Sequence, residues 1–230
     1  MRRRPPWLPA GRGEWTLLAA LAACYPASLA LPASWAREGG LLESLQVLVL
    51  CAGCVLALRM VARAWPARVA MLALWVAPVW LLLAGRELSW GRAWLPEHAS
   101  EAMAATALWV EPLVRPGAAV LLAWLLFSAV YYRIDRPLRA AFAERVPWVV
   151  LAVLLAVAMG STCAEGHMAC HLDQVLPGAQ VFEELCELLA YVALCMVQHR
   201  VFMHQTRAAR LPDAVHAPAA APKETAQEAG

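Results

Sequence analysis

Six long apolar stretches restrict what this chain can fold into more than any other feature. They are Trp15–Trp35, Leu41–Val61, Val69–Ser89, Leu113–Tyr132, Val146–Cys163 and Val181–Phe202. Roughly 20 mostly apolar residues in a helix cross about 30 Å of hydrocarbon. Hydrocarbon offers no water to backbone groups, so only helices and closed barrels span it. No strand-like alternation runs through these stretches, and the sequence predicts an all-α integral membrane bundle of six transmembrane helices. Composition agrees. Of 230 residues, 62% are hydrophobic and 16% charged, whereas soluble domains run about 45–50% and about 25%. A secreted disulfide scaffold and a disordered chain are excluded on the same grounds. Residues 1–210 read as a single domain, and 211–230, rich in Ala, Pro, Glu and Gln, as a disordered cytoplasmic tail. The lipid bilayer is the one partner that composition demands. A net charge of +2, with no basic patch alternating with aromatics, excludes nucleic acid.

The basic residues set an orientation. Fifteen fall on one set of segments: Arg2, Arg3, Arg4, Arg12, Arg59, Arg63, Arg68, Arg133, Arg136, Arg139, Arg145, Arg200, Arg207, Arg210 and Lys223. Only Arg37, Arg86, Arg92 and Arg115 fall on the other, where 11 of the 17 carboxylates also lie. Both termini are therefore expected in the cytoplasm, with a net acidic outer face. Pro66, Pro112, Pro147 and Pro177 stand just before spans, where proline suits a helix start. Pro26, Pro32 and Pro78 fall inside spans, where a bilayer helix kinks around them. Leu21-Ala22-Ala23-Cys24 has the form of a lipoprotein cleavage box, which would lipidate Cys24 and leave five spans. The apolar run continues past Cys24, as a span does and a signal segment does not.

Polar groups inside a span are costly and mark function by default. On the last span, Gln180, Glu184, Glu187, Tyr191, Cys195 and Gln198 fall within an arc of about 80°. Such a stripe faces protein or water, either as an interhelical hydrogen-bond seam or as a functional surface. Two carboxylates one turn apart repel, so Glu184 and Glu187 call for a proton, a cation or an Arg. Arg86 is the expected charge partner, from the third span end, with Glu87 about 100° away around that helix.

The segment between the last two spans places Cys163, Glu165, His167, Cys170, His171 and Asp173 within eleven residues. His167 and His171, spaced one turn apart on a helix, suit a divalent metal such as zinc, with Glu184 and Glu187 completing the set. Cys163 and Cys170 face the outer side and are a possible disulfide. The run His167-Met-Ala-Cys170-His171 lacks the first cysteine of covalent haem attachment, so haem is excluded. Cys51 and Cys54 lie mid-span, where small-residue helix packing is the expected role. Between the third and fourth spans, a helix opening at Pro96-Glu97 and stopped by Glu111-Pro112 is expected to lie at the interface, anchored by Trp94 and Trp109.

Two segments together, Arg86-Glu87-Leu88-Ser89-Trp90-Gly91-Arg92 and Glu183-Glu184-Leu185-Cys186-Glu187-Leu188-Leu189-Ala190-Tyr191, resemble signatures of small, uncharacterised bacterial multi-pass membrane proteins. The resemblance covers about a fifth of the chain and implies a bacterial inner-membrane location without an activity. His167 and His171 are also similar to the His-x-x-x-His pair of the alkaline ceramidase and adiponectin-receptor superfamily, which implies zinc hydrolase chemistry. That family has seven spans, and its remaining His, Ser and Asp have no counterpart here.

Three functions follow from these residues. The first is a non-catalytic scaffold, assembly factor or sensor that holds a membrane-protein partner through its polar seam. The second is a metal-dependent hydrolase of a lipid-linked substrate, with Glu87 or Glu183 as general base. The third is a proton or cation path lined by Glu184, Glu187, Tyr191 and Gln198.

Overall fold

The computed structural model describes residues 11–37, 39–65, 68–88, 101–144, 148–164 and 176–215. Among these residues the regular structure is entirely helical. Seven α-helices follow in chain order: α1 (Arg12–Ala30), α2 (Leu41–Ala64), α3 (Arg68–Glu87), α4 (Glu101–Tyr131), α5 (Asp135–Glu144), α6 (Trp148–Ala164) and α7 (Ala179–Val215). A single 3₁₀ turn, Ala33–Ala36, links α1 to α2. Each of the six apolar stretches contains one of α1, α2, α3, α4, α6 and α7 over most of its length.

Several boundaries differ from expectation for physical reasons. The first helix stops at Ala30 rather than Trp35, because Pro32 forces Leu31 into an extended conformation (ψ 144°). Pro26 stays inside α1, and the helix is unbroken through Cys24, which it buries against α7. The helix expected to stop at Glu111-Pro112 instead runs on: α4 is continuous from Glu101 through Pro112 and Pro116 to Tyr131. Each proline removes one backbone hydrogen bond, whereas breaking the helix in an apolar run would strand several. At the far end, α7 continues to Val215, past the expected start of a disordered tail at residue 211.

Helix α5 has no counterpart among the expected spans. Arg133 adopts a left-handed conformation (φ 51°), and the backbone N–H of Ile134 donates to the Ala129 carbonyl at 3.0 Å. That is a Schellman-type stop to α4, with Ile134 as its buried hydrophobic follower. Ile134, Leu138 and Phe142, spaced at i, i+4 and i+8, then pack with Val201 and Phe202 of α7. Arg139 pairs with Asp135 at 3.0 Å on the exposed side.

Helix α7 is the hub, touching α1, α2, α3, α5 and α6. Two separate cores flank it. One joins Leu50, Cys54 and Ala57 of α2 to Leu72, Ala77 and Trp80 of α3, with Tyr191 and Val201 of α7. The other joins Leu17 and Cys24 of α1 to Val150, Val153 and Val157 of α6, with Cys186, Leu189 and Ala193 of α7. Gly178, at φ 86°, stands just before α7, where a Cβ would lie 2.6 Å from the Ser28 carbonyl oxygen of α1. The exterior is apolar: Leu48, Phe127, Val130 and Leu155 are all exposed. Among the described residues, two segments, Leu41–Ala64 and Ala70–Glu87, are long and apolar enough to cross a membrane.

Candidate functional site

Helical periodicity turns one side of α7 toward α2 and α3, and the polar stripe lies on that side. Its members meet partners in order along the helix. Gln180 stands exposed at the start. Glu184 accepts a hydrogen bond from Gln46 Nε2 of α2 at 2.8 Å, and the same nitrogen donates to the Glu184 backbone carbonyl at 3.0 Å. Glu187 accepts from Arg86 Nη2 at 3.0 Å. The Tyr191 hydroxyl donates to Glu87 Oε1 at 2.6 Å. The Cys195 thiol faces the Val49 carbonyl of α2 at 3.9 Å. Gln198 closes the row: its Nε2 donates to the Gly53 carbonyl at 3.0 Å, and its Oε1 accepts from Trp80 Nε1.

Glu87 therefore does not point away from Arg86 as the helical wheel suggests. Its Oε1 lies 3.9 Å from Arg86 Nη1, because two long side chains bridge the angle between their Cα positions. The result is a four-residue network, Arg86, Glu87, Glu187 and Tyr191, drawn from the end of α3 and the first half of α7. Its carboxylates are well covered, at 7% exposure for Glu87 and 15% for Glu187, while the Arg86 side chain is 58% exposed. Beside it, α6 and α7 enclose a cleft of about 250 Å³. Arg86, Ser161, Thr162, Glu187 and Tyr191 give this cleft its polar lining, and Val157 and Ala190 its apolar lining.

Among the described residues, no three His, Cys, Asp or Glu side chains gather into a metal-binding group. Glu184 and Glu187 are engaged by different helices, α2 and α3. His167 and His171, the other half of the expected metal set, lie outside the described residues, as do Glu165, Cys170 and Asp173. Glu183 is half-buried on α7. Cys163 is disulfide-bonded, and the free thiols among the described residues are Cys24, Cys51, Cys54, Cys186 and Cys195. Cys54 sits in the core between α2 and α3 and Cys51 points outward.

The structure adds residues that sequence reasoning passed over. Gln46 is fully buried, and its Oε1 has no hydrogen-bond partner. A lone glutamine among leucines carries no periodic signal, although its i+3 spacing from Glu43 puts both on one face of α2. Glu14, 3% exposed at the start of α1, pairs with Arg200 of α7. Trp80 is the third addition, because it supplies the donor that closes Gln198.

Comparison with family models, curated sequences and solved structures finds no match to this chain.

Proposed function

We propose that this is a six-span protein of the bacterial inner membrane, both termini cytoplasmic, that works as a non-catalytic scaffold or sensor component. The seam of α7 carries this reading. From Glu184 to Gln198 every polar member of the stripe is bonded to α2 or α3, so these groups bind helices together instead of lining a water path. Interhelical hydrogen bonds in membranes contribute about 0.6 kcal/mol each on average, and a row of five fixes the rotation and register of three helices. The apolar exterior and the asymmetric distribution of Arg support the membrane topology.

On this reading the working surface is the cleft beside Arg86, whose exposed guanidinium would meet a partner or lipid-linked group on the outer side. The hydrolase alternative draws on that cleft, which sets Glu187 and an accessible cation next to one another.

The test combines three measurements on purified protein. Reporter fusions place both termini in the cytoplasm and residue 90 outside. Elemental analysis finds no stoichiometric zinc, manganese or iron. Proteoliposomes carrying wild type and Glu184→Gln show the same proton and cation flux. A stoichiometric metal, or a flux that Glu184→Gln abolishes, overturns the scaffold reading in favour of the hydrolase or the ion path.

A further inference from the structure

We propose that the cleft beside Arg86 binds the phosphoethanolamine headgroup of a membrane phospholipid, with its phosphate on Arg86 and its ammonium on Glu187. This assignment rests on the scaffold reading, which makes the cleft the working surface, and names what that surface recognises.

Two opposite charges meet at the cleft wall, and each keeps bonding capacity. Arg86 Nη2 donates to Glu187 Oε1 at 3.0 Å, while the Arg86 side chain is still 58% exposed. A guanidinium carries five N–H donors in a planar fork, so most of them stay open to an anion. Glu187 lines the cleft, and its Oε2 has no protein partner among the described residues. The same holds for the Ser161 hydroxyl, also in the lining. The Thr162 hydroxyl donates to the Ala158 carbonyl at 2.8 Å, which leaves its oxygen able to accept.

Charge balance selects the ligand. Arg86 stands against two carboxylates, Glu87 and Glu187, so a ligand carrying only negative charge is repelled. A ligand carrying only positive charge meets the exposed guanidinium. A zwitterion satisfies both. Its phosphate takes the guanidinium fork, and a primary ammonium donates its three N–H groups to Glu187 Oε2 and the hydroxyls of Ser161 and Thr162. A choline headgroup carries the same phosphate, but its quaternary nitrogen has no N–H to donate.

Depth points to a lipid as the source. Arg86 lies in the last turn of α3, and Ser161 and Thr162 lie in the last turn of α6. Span ends are the level at which headgroups meet hydrocarbon. Val157, Ala158 and Ala190 add an apolar wall. The cleft volume is about 250 Å³. That lies just below the range of about 300–1,000 Å³ for small-molecule sites, which suits a headgroup whose acyl chains stay in the bilayer.

The experiment uses the full-length protein in detergent and counts bound lipid by native mass spectrometry. Dioleoyl phosphatidylethanolamine, phosphatidylcholine and phosphatidylglycerol are compared at equal concentration. One equivalent of phosphatidylethanolamine is expected to bind roughly tenfold more tightly than either competitor, the scale of one charge-assisted hydrogen bond. Glu187→Gln erases the preference over phosphatidylcholine, whereas Arg86→Gln weakens both lipids alike, because both carry the phosphate. Ser161→Ala removes one acceptor without touching the ion pair and lowers phosphatidylethanolamine affinity about threefold. Soluble phosphoethanolamine at the same concentration leaves the lipid in place, and displacement by it overturns the lipid assignment. The proposal is also overturned if the three lipids bind equally, if a competitor binds more tightly, or if Glu187→Gln and Ser161→Ala both keep the wild-type preference. Those outcomes leave the scaffold reading standing, because topology, metal content and ion flux decide it separately.

Discussion

The two sides of α7 hold their neighbours by opposite means. Toward α2 and α3 the helix presents Glu184, Glu187, Tyr191, Cys195 and Gln198, each bonded to a named group across the interface. Toward α1 and α6 it presents Cys186, Leu189 and Ala193 against aliphatic side chains, with the Arg200–Glu14 pair as a polar tie at the start of α1, and the packing there leaves a cavity of about 340 Å³. Hydrogen bonds are directional and lose their value when a helix rotates by a few tens of degrees. Apolar contacts tolerate such shifts, so the second interface can keep open space. The polar side supplies register and the apolar side supplies room.

Substitutions can break this contrast, beginning with the most severe. At Gly53, a Cβ would lie 2.7 Å from two atoms of the Trp80 indole, a rigid ring whose N–H is already held by Gln198. Gly53→Ala is expected to cost about 2 kcal/mol, read as a lowered unfolding midpoint in detergent. Gln198→Leu strands the buried Trp80 N–H and should cost about 1–2 kcal/mol. Adding Trp80→Phe removes the stranded donor, and the double variant should recover much of that loss in the same assay.

Glu187→Gln is milder. Arg86 is mostly exposed and rehydrates, so thermal unfolding should register less than about 1 kcal/mol. The smallest effect belongs to the apolar side. A Cβ on Gly13 would lie 2.9 Å from Met196 Cε, the free end of a flexible side chain, which can swing aside. Gly13→Ala should leave stability within about 1 kcal/mol, with helix propensity favouring the alanine. If Gly13→Ala proves more damaging than Gly53→Ala, the division of labour between the two sides is wrong.

Much of the helical framework is legible in the sequence, since long apolar runs without alternation leave the backbone no other way to satisfy itself. The polar stripe is legible for a similar reason, because a 3.6-residue period survives in the last span whatever surrounds it. Arg86 stands out as a charge partner because cations are scarce on the set of segments it shares with Arg37, Arg92 and Arg115. The boundaries are harder to read. Pro32 ends α1 while Pro26, Pro112 and Pro116 are carried through, so a proline in the sequence does not by itself mark a helix end. Helix α5 hides in a segment whose arginines read as a cytoplasmic loop, although Ile134, Leu138 and Phe142 carry the signal.

The sequence by itself determines that the chain is helical, that its exterior is apolar and that its last helix has a polar side. Those properties depend on local period and composition, which act over a few residues. Tertiary structure alone decides which helix each polar group meets. Gln46 and Glu184 are separated by 138 residues, and Trp80 and Gln198 by 118. Nothing periodic links Cys24 to Cys186, which enter one core only when α1 folds back along α7. Contacts of that kind depend on how whole helices pack, and packing is settled by shape and hydrogen-bond direction across the entire bundle.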